Sequence, residues 1–212
     1  MKTILRCTLL FVSLYWFSAC QKAPQPVSLF NGTDLAGWVP YLSPDSLITN
    51  PAEVYKVKEG CIWISGKPLG YLRTEKEYTD YVLHVEWRWD GEATNSGLFQ
   101  RISLPDQSFP NAIEVQLAAG KAGDFVMLGG SKINETKETG PFPVVKSMNP
   151  SNEKAVGEWN TADITCKGDS IIVVINGLLQ NKASGAPTSG YIGLQSEGGP
   201  VMFRSITVTP LQ

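Results

Sequence analysis

Histidine occurs once in these 212 residues, as His84, and the four cysteines, Cys7, Cys20, Cys61 and Cys166, form no C-x-x-C pair. A structural zinc site needs Cys and His ligands at close spacing, so that chemistry is excluded. An oxygen-ligated divalent cation such as calcium stays compatible with the composition, but no D-x-D-x-D-G loop is present and nothing in the sequence requires a cofactor. A basic excess is missing too. The chain has 18 Lys and Arg against 20 Asp and Glu, a formal net charge of −2, and no basic patch that calls for nucleic acid. Beyond the N terminus no segment longer than a few residues keeps a helical period, which argues against a bundle or an α/β fold. What recurs instead is short alternating runs separated by Gly, Asn, Asp or Pro, the pattern of an all-β sandwich or jelly roll.

Met1-Lys2 and Arg6 precede the apolar run LLFVSLYWFSA, which has the charged start and short hydrophobic core of a secretory signal and is too short for a lasting membrane span. Phe17-Ser18-Ala19-Cys20 is similar to a bacterial lipobox, so Cys20 is expected to be lipidated after removal of residues 1–19. The proline-rich stretch that follows predicts a flexible tether over 20–28 and a single folded domain over 29–212. Such a protein belongs to the cell envelope, anchored to a bacterial membrane by its lipid. Of the cysteines left in the domain, Cys61 and Cys166 either pair or sit apart as small buried residues, and spacing does not decide between them.

The most informative stretch is 81–117. Tyr81, Leu83, Val85, Trp87 and Trp89 alternate with Val82, His84, Glu86 and Arg88, and Ile113, Val115 and Leu117 alternate with Glu114 and Gln116. Each run therefore has one apolar and one polar face. If the runs pair in one sheet, Glu86, Arg88, Glu114 and Gln116 converge on a groove, joined by Gln100 or Arg101 from the strand between. A face of carboxylates, amides and guanidinium groups flanked by aromatic residues suits a sugar. Elsewhere, Glu59-Gly60 and Asn176-Gly177 predict tight hairpins, and Gly70 to Thr74, Trp159 to Cys166, Ser170 to Ile175, Tyr191 to Gln195 and Val201 to Val208 predict strands. A short strand near Phe125 to Leu128 precedes a long Gly- and Pro-rich loop. Of the tryptophans, Trp38, Trp63, Trp87 and Trp159 are expected in the core, and Trp89 is a candidate for stacking on a sugar.

Several motifs recur in order along nearly the whole domain: Leu29-Phe30-Asn31-Gly32, Gly37-Trp38, Asn95-Ser96-Gly97 followed by Arg101, Glu114-Val115-Gln116, Gly157-Glu158-Trp159-Asn160, Ile175-Asn176-Gly177 and Gly190-Tyr191-Ile192-Gly193-Leu194-Gln195. Together they resemble the 3-keto-disaccharide hydrolase family. That resemblance implies a concanavalin A-like jelly roll and cleavage of glycosides whose glucose ring is oxidised at C3. The ketone acidifies the C2 hydrogen, a base removes it, the aglycone leaves from C1, and water adds back. Two departures fall near the expected groove. Many members carry Asp or Asn after the EVQ run where this chain has Ala118-Ala119, and many carry His after GLQ where it has Glu197.

On this reading Glu114 and Glu86 are the acid/base candidates, with His84 a further proton carrier. Arg88, Arg101, Gln116, Asn95, Trp89, Gln195 and Glu197 are candidates for binding a carbohydrate substrate. The alternative is a carbohydrate-binding lipoprotein of the same fold without catalysis.

Overall fold

The computed structural model describes residues 23–211. The expected leader and Cys20 lie outside the described residues. In chain order the elements are β1 (Val27–Ser28), β2 (Trp38–Leu42), a single helical turn α1 (Pro51–Val54), β3 (Tyr55–Lys58), β4 (Cys61–Ile64), β5 (Gly70–Thr74), β6 (Tyr81–Trp89) and β7 (Gly97–Ser103). They continue with β8 (Asn111–Gln116), β9 (Phe125–Leu128), β10 (Val144–Val145), β11 (Asn160–Lys167), β12 (Ser170–Ile175), β13 (Leu178–Ala183), β14 (Tyr191–Ser196) and β15 (Val201–Pro210). These strands form two antiparallel sheets. One has eight strands in the order β13-β12-β11-β6-β15-β4-β3 with β1 beside β15, and the other has seven in the order β10-β9-β8-β7-β14-β5-β2. Among the described residues no helix is long and apolar enough to cross a membrane.

Alternation decides which side of each strand is buried. Leu83, Val85, Trp87, Trp89, Ile164, Val173 and Phe203 from the eight-stranded sheet meet Leu72, Leu98, Ile113, Val115 and Leu194 from the other in one core. Both expected hairpins form. Glu59 and Gly60 have φ of 55° and 70°, and Asn176 and Gly177 have 47° and 79°. Positive φ at both central positions is what a type I′ turn requires and what Asn-Gly supplies at low cost. The long loop after β9 is fastened rather than free. Asn152 donates to the Ile175 carbonyl at 2.7 Å, Asn176 donates to the Asn152 carbonyl at 2.9 Å, and Gln180 donates to Asn152 Oδ1 at 3.0 Å.

One expectation fails at the level of topology. β6 lies between β11 and β15, whereas β7 and β8 belong to the opposite sheet, so the polar face of β6 points away from that of β8 across the sandwich. Glu86 instead pairs with Arg204 at 2.6 Å and His84 with Asp163 at 2.7 Å. Arg88 stacks over the Trp159 ring at 4.8 Å, with Arg204 over the same ring at 4.0 Å. Trp159 and Trp63 thus lie half-buried on the outer face of the eight-stranded sheet, not in the core. Trp89 makes the opposite move: it is core, packed edge-on to Trp87 with centroids 5.8 Å apart, and offers no face to a sugar.

Gln100 also turns inward, accepting from the Tyr81 hydroxyl at 3.0 Å. Arg101 is fully buried at φ 57° in the bulge of β7 and donates to the carbonyls of Thr79, Gly168 and Pro187, which removes it from any groove. Cys61 and Cys166 are free buried thiols. Cys166 belongs to the core, while Cys61 alternates with core residues Ile62 and Ile64 and so faces the other side of the sheet. The last two residues of the expected tether, Val27 and Ser28, pair with Val208 and Thr207.

Arg101 therefore acts as a latch on three loops. Hydrogen bonds to a buried cation are worth about 1.5–3 kcal/mol each before compensation, so Arg101→Ala is expected to cost about 2–4 kcal/mol in urea unfolding. Glu86→Gln breaks a partly exposed pair and should cost about 1 kcal/mol or less. An Arg101→Ala loss no larger than that of Glu86→Gln would contradict the latch.

Candidate functional site

The seven-stranded sheet is buried on both faces. On its outer face Tyr71, Phe99, Ile102, Ala112, Val126 and Leu128 form a second apolar cluster under Tyr41, Phe109, Val144 and Tyr191. Two rows of side chains cross this face. In one, Glu114 pairs with Phe99, Phe99 with Gly193, and Gly193 with Arg73. In the next, Gln116 pairs with Gly97, Gln195 with Tyr71, and Tyr71 with Tyr41. Gly97 has a steric reason: a Cβ there would lie 2.2 Å from Glu114 Oε1, so only glycine lets that carboxyl reach across β7.

Glu114 is 2 % exposed, and its Oε1 has no hydrogen-bond partner. Burial, reinforced by the nearby charge of Glu197, pushes its pKa well above the ordinary carboxyl value. Glu197 is likewise raised by burial, but the side chains of Asn95 and Gln195 donate to its carboxylate and oppose that shift, the Gln195 bond being 2.8 Å. Asn95 Oδ1 and Gln195 Oε1 are themselves buried without donors. The Asn95 segment is fixed against the end of β14, since Ser96 Oγ donates to the Gln195 carbonyl at 2.9 Å and Thr94 Oγ1 accepts from Gly199 N–H at 2.6 Å. Two carboxyls of unequal environment thus share one spot with two amides whose oxygens lack donors. Such a set is suited to keep one acid protonated beside an ionised one and to accept from hydroxyl donors.

A second cluster adjoins it on β5. Arg73 grips Asp106 through Nε and Nη2 at 2.8 and 3.0 Å, Tyr71 donates its hydroxyl to Asp106 at 2.8 Å, and Arg73 lies over the Tyr191 ring at 4.7 Å. Burial raises the Asp106 pKa, but these donors outweigh it and hold the carboxyl below its ordinary value. Tyr41 stacks on Tyr71 with centroids 5.1 Å apart.

Of the residues singled out in the sequence, the structure brings together Glu114, Gln116, Asn95, Gln195 and Glu197. Glu86, His84 and Arg88 lie on the far sheet, and Arg101 and Trp89 are interior. Sequence reasoning missed Tyr71, Arg73, Asp106 and Gly97. The alternation of Tyr71 and Arg73 with Leu72 and Thr74 carried a signal for the first two, while Asp106 stands in a loop without periodicity. Among the described residues no three His, Cys, Asp or Glu side chains gather as a metal cluster.

A family model described as a 3-keto-alpha-glucoside-1,2-lyase-like domain matches residues 25–209. No curated protein matches the chain in sequence. Among solved structures, a candidate glycosyl hydrolase from Parabacteroides distasonis superposes with a TM-score of 0.67 at 21% identity, over 88% of this chain and 94% of that one. A β-glucanase from Bacillus licheniformis gives 0.59 at 14% identity over 91% and 100%, and a carbohydrate-binding module from Bacillus subtilis gives 0.58 at 14% over 82% and 95%. These likenesses establish the fold as a concanavalin A-like jelly-roll sandwich.

The raised Glu114 pKa has a thermodynamic consequence. An acid that binds its proton more tightly when folded stabilises the fold below its unfolded pKa, and that advantage is lost as pH rises from there toward the folded value. The wild-type protein is therefore expected to lose stability progressively above pH 4.5, the ordinary value for the group. Glu114→Gln should flatten this dependence and be the more stable protein near neutrality. Parallel thermal unfolding of both across pH checks it; superimposable profiles would contradict the assignment.

Proposed function

The chain belongs to the 3-keto-α-glucoside-1,2-lyase-like domain family, and from this premise we propose that it is a glycoside-cleaving enzyme acting on 3-keto-glycosides. The observation that carries the reading is the pairing of Glu114, buried and without a partner, with the less buried, amide-supported Glu197. In an elimination the two need different protonation states; burial raises both, but only Glu197 has donors that oppose the shift, so Glu114 is the better placed to keep its proton. Glu197, whose carboxylate accepts from Asn95 and Gln195, removes the C2 proton next to the C3 ketone. The electron pair forms the C1–C2 double bond as the C1–O bond breaks. Glu114, kept protonated by burial, gives its proton to the departing aglycone oxygen. Water then adds across the double bond with the roles reversed, which yields the free keto sugar. The acceptor oxygens of Asn95 and Gln195 take hydroxyl donors of the ring and fix its orientation.

The N-terminal sequence supports an exported protein held to a bacterial membrane by a lipid on Cys20. Cys20→Ser should move the protein from the membrane to the soluble fraction of cells; unchanged membrane partition would contradict the anchor.

The two roles separate experimentally. Incubated with an aryl 3-keto-glucoside in D₂O, the wild-type protein should release the phenol and exchange the C2 hydrogen. Glu197→Gln should lose both by about 10²–10⁴-fold, while Glu114→Gln should lose release by a similar factor and keep C2 exchange. Absence of release and exchange from a folded wild-type protein would overturn the reading. Retained binding of the sugar would then identify a lectin-like module.

A further inference from the structure

On the other side of Glu114 from the tyrosine cluster, the outer face of the seven-stranded sheet holds a hollow of about 290 Å³. Its lining includes Gln116, Lys121, Asp124, Val126, Glu138 and Lys146. Register places it against the carboxyl pair: Val126 is the cross-strand partner of Glu114, and Gln116 follows Glu114 on the same face of β8. The hollow lies at the low end of the range for small-ligand sites, which is roughly 300–1,000 Å³.

Its polar groups are unequal. Gln116 Oε1 accepts from the N–H groups of Leu117 and Ala118 at 3.0 and 2.9 Å, which leaves the amide nitrogen as a donor. Asp124 Oδ1 accepts from Ser147 N–H at 2.6 Å, and Glu138 Oε2 accepts from Val144 N–H at 3.2 Å, so both carboxylates already have backbone donors. Among the described residues neither Lys121 nor Lys146 takes part in an ion pair. Two lysines without a salt-bridge partner and one free amide donor therefore line a hollow beside the proposed acid, together with two carboxylates already engaged by backbone N–H groups. Most of this lining comes from the residues after the Glu114-Val115-Gln116 run, the region where the chain departs from the pattern of the family it resembles.

We propose that this hollow is the leaving-group subsite and selects glycosides whose aglycone carries an anionic oxygen group, either a carboxylate or a sulfate. The inference rests on the reading of Glu114 as the acid at the aglycone oxygen. With Glu114 at that oxygen, the aglycone extends along β8 toward Gln116 and β9, where Lys121 and Lys146 meet its charge as mobile point charges and Gln116 adds a directed hydrogen bond.

The test uses the full-length protein and glucosides with an intact 3-hydroxyl, which bind without reacting: phenyl, 4-carboxyphenyl and 4-sulfophenyl glucoside, followed by NMR titration. Wild-type protein should bind at least one charged glucoside about tenfold more tightly than the phenyl compound at low salt. The sulfonate stands in for a sulfate, so comparison of the two charged arms shows which anion the hollow takes. The preference should vanish at about 0.5 M salt, where the Debye length is a few ångströms. It should also vanish in a Lys121→Gln, Lys146→Gln double variant, whose exposed substitutions leave the fold intact. Equal binding of all three glucosides, or a preference that survives the double variant, overturns the subsite. The corresponding 3-keto-glucosides separate the two claims. Turnover without charge preference removes the subsite and leaves the enzyme, whereas charge preference without turnover removes the enzyme and leaves an anion-selective sugar site.

Discussion

A carboxyl group enclosed by a β-sheet face with no donor for one of its oxygens is the constraint on which the rest of the site depends. Left ionised and unpaired, a buried carboxylate costs several kcal/mol, of the order that unfolds a small domain. Burial accordingly pushes Glu114 toward its protonated form. The neighbourhood is arranged around this outcome: Gly97 leaves room for the side chain, Phe99 and the aromatic cluster exclude water, and Glu197 supplies a negative charge that makes a second ionisation still harder. Asn95 and Gln195 face the opposite problem, supporting the charge on Glu197 while their own acceptor oxygens wait for donors. A polyhydroxylated ring is a ligand that brings those donors and has no charge to bury.

The two sheets divide the labour. On the outer face of the eight-stranded sheet nearly every charge has an answer, with Glu86 on Arg204, His84 on Asp163, Lys58 on Asp90, and two guanidinium groups on Trp159. Compensated groups of this kind have little left to offer a ligand. On the seven-stranded sheet and its edge loop, Glu114 Oε1, Asn95 Oδ1 and Gln195 Oε1 are buried without partners, with Phe99 the cross-strand neighbour of Glu114 and Tyr71 that of Gln195. Position in the sandwich, not polarity alone, separates structural charges from available ones.

This division also explains how far the amino-acid order could be read. Alternation of period two reports which residues of a strand share a face, and together with the turn residues it correctly gave the strands 70–74, 81–89 and 170–175 and both tight hairpins. It does not report which strands become neighbours, because every strand of a two-sheet sandwich has an inward face whichever sheet it joins. Consecutive strands usually pair, and the step from β6 to β7 breaks that habit by crossing the sandwich. Glu86, His84 and Arg88 were drawn into the site on that assumption and left it with the crossing. Arg101 went astray for a different reason: the bulge that gives it a positive φ shifts the parity of β7 and turns its side chain into a cage of carbonyls. Asn95, Glu114, Gln116, Gln195 and Glu197 survived because their motifs lie on β8 and at the ends of β7 and β14, which do belong to one sheet.

The claim that most needs direct observation is the protonation of Glu114 beside an ionised Glu197. Infrared spectroscopy of the ¹³C-carboxyl-labelled protein at neutral pH, with Glu114→Gln for assignment, reports the two states separately. The account predicts a protonated carboxyl band that disappears in Glu114→Gln and titrates at lower pH in Glu197→Gln, where the neighbouring charge is gone. A Glu114 carboxylate already ionised at pH 6, with an ordinary titration unaffected by Glu197→Gln, would contradict it.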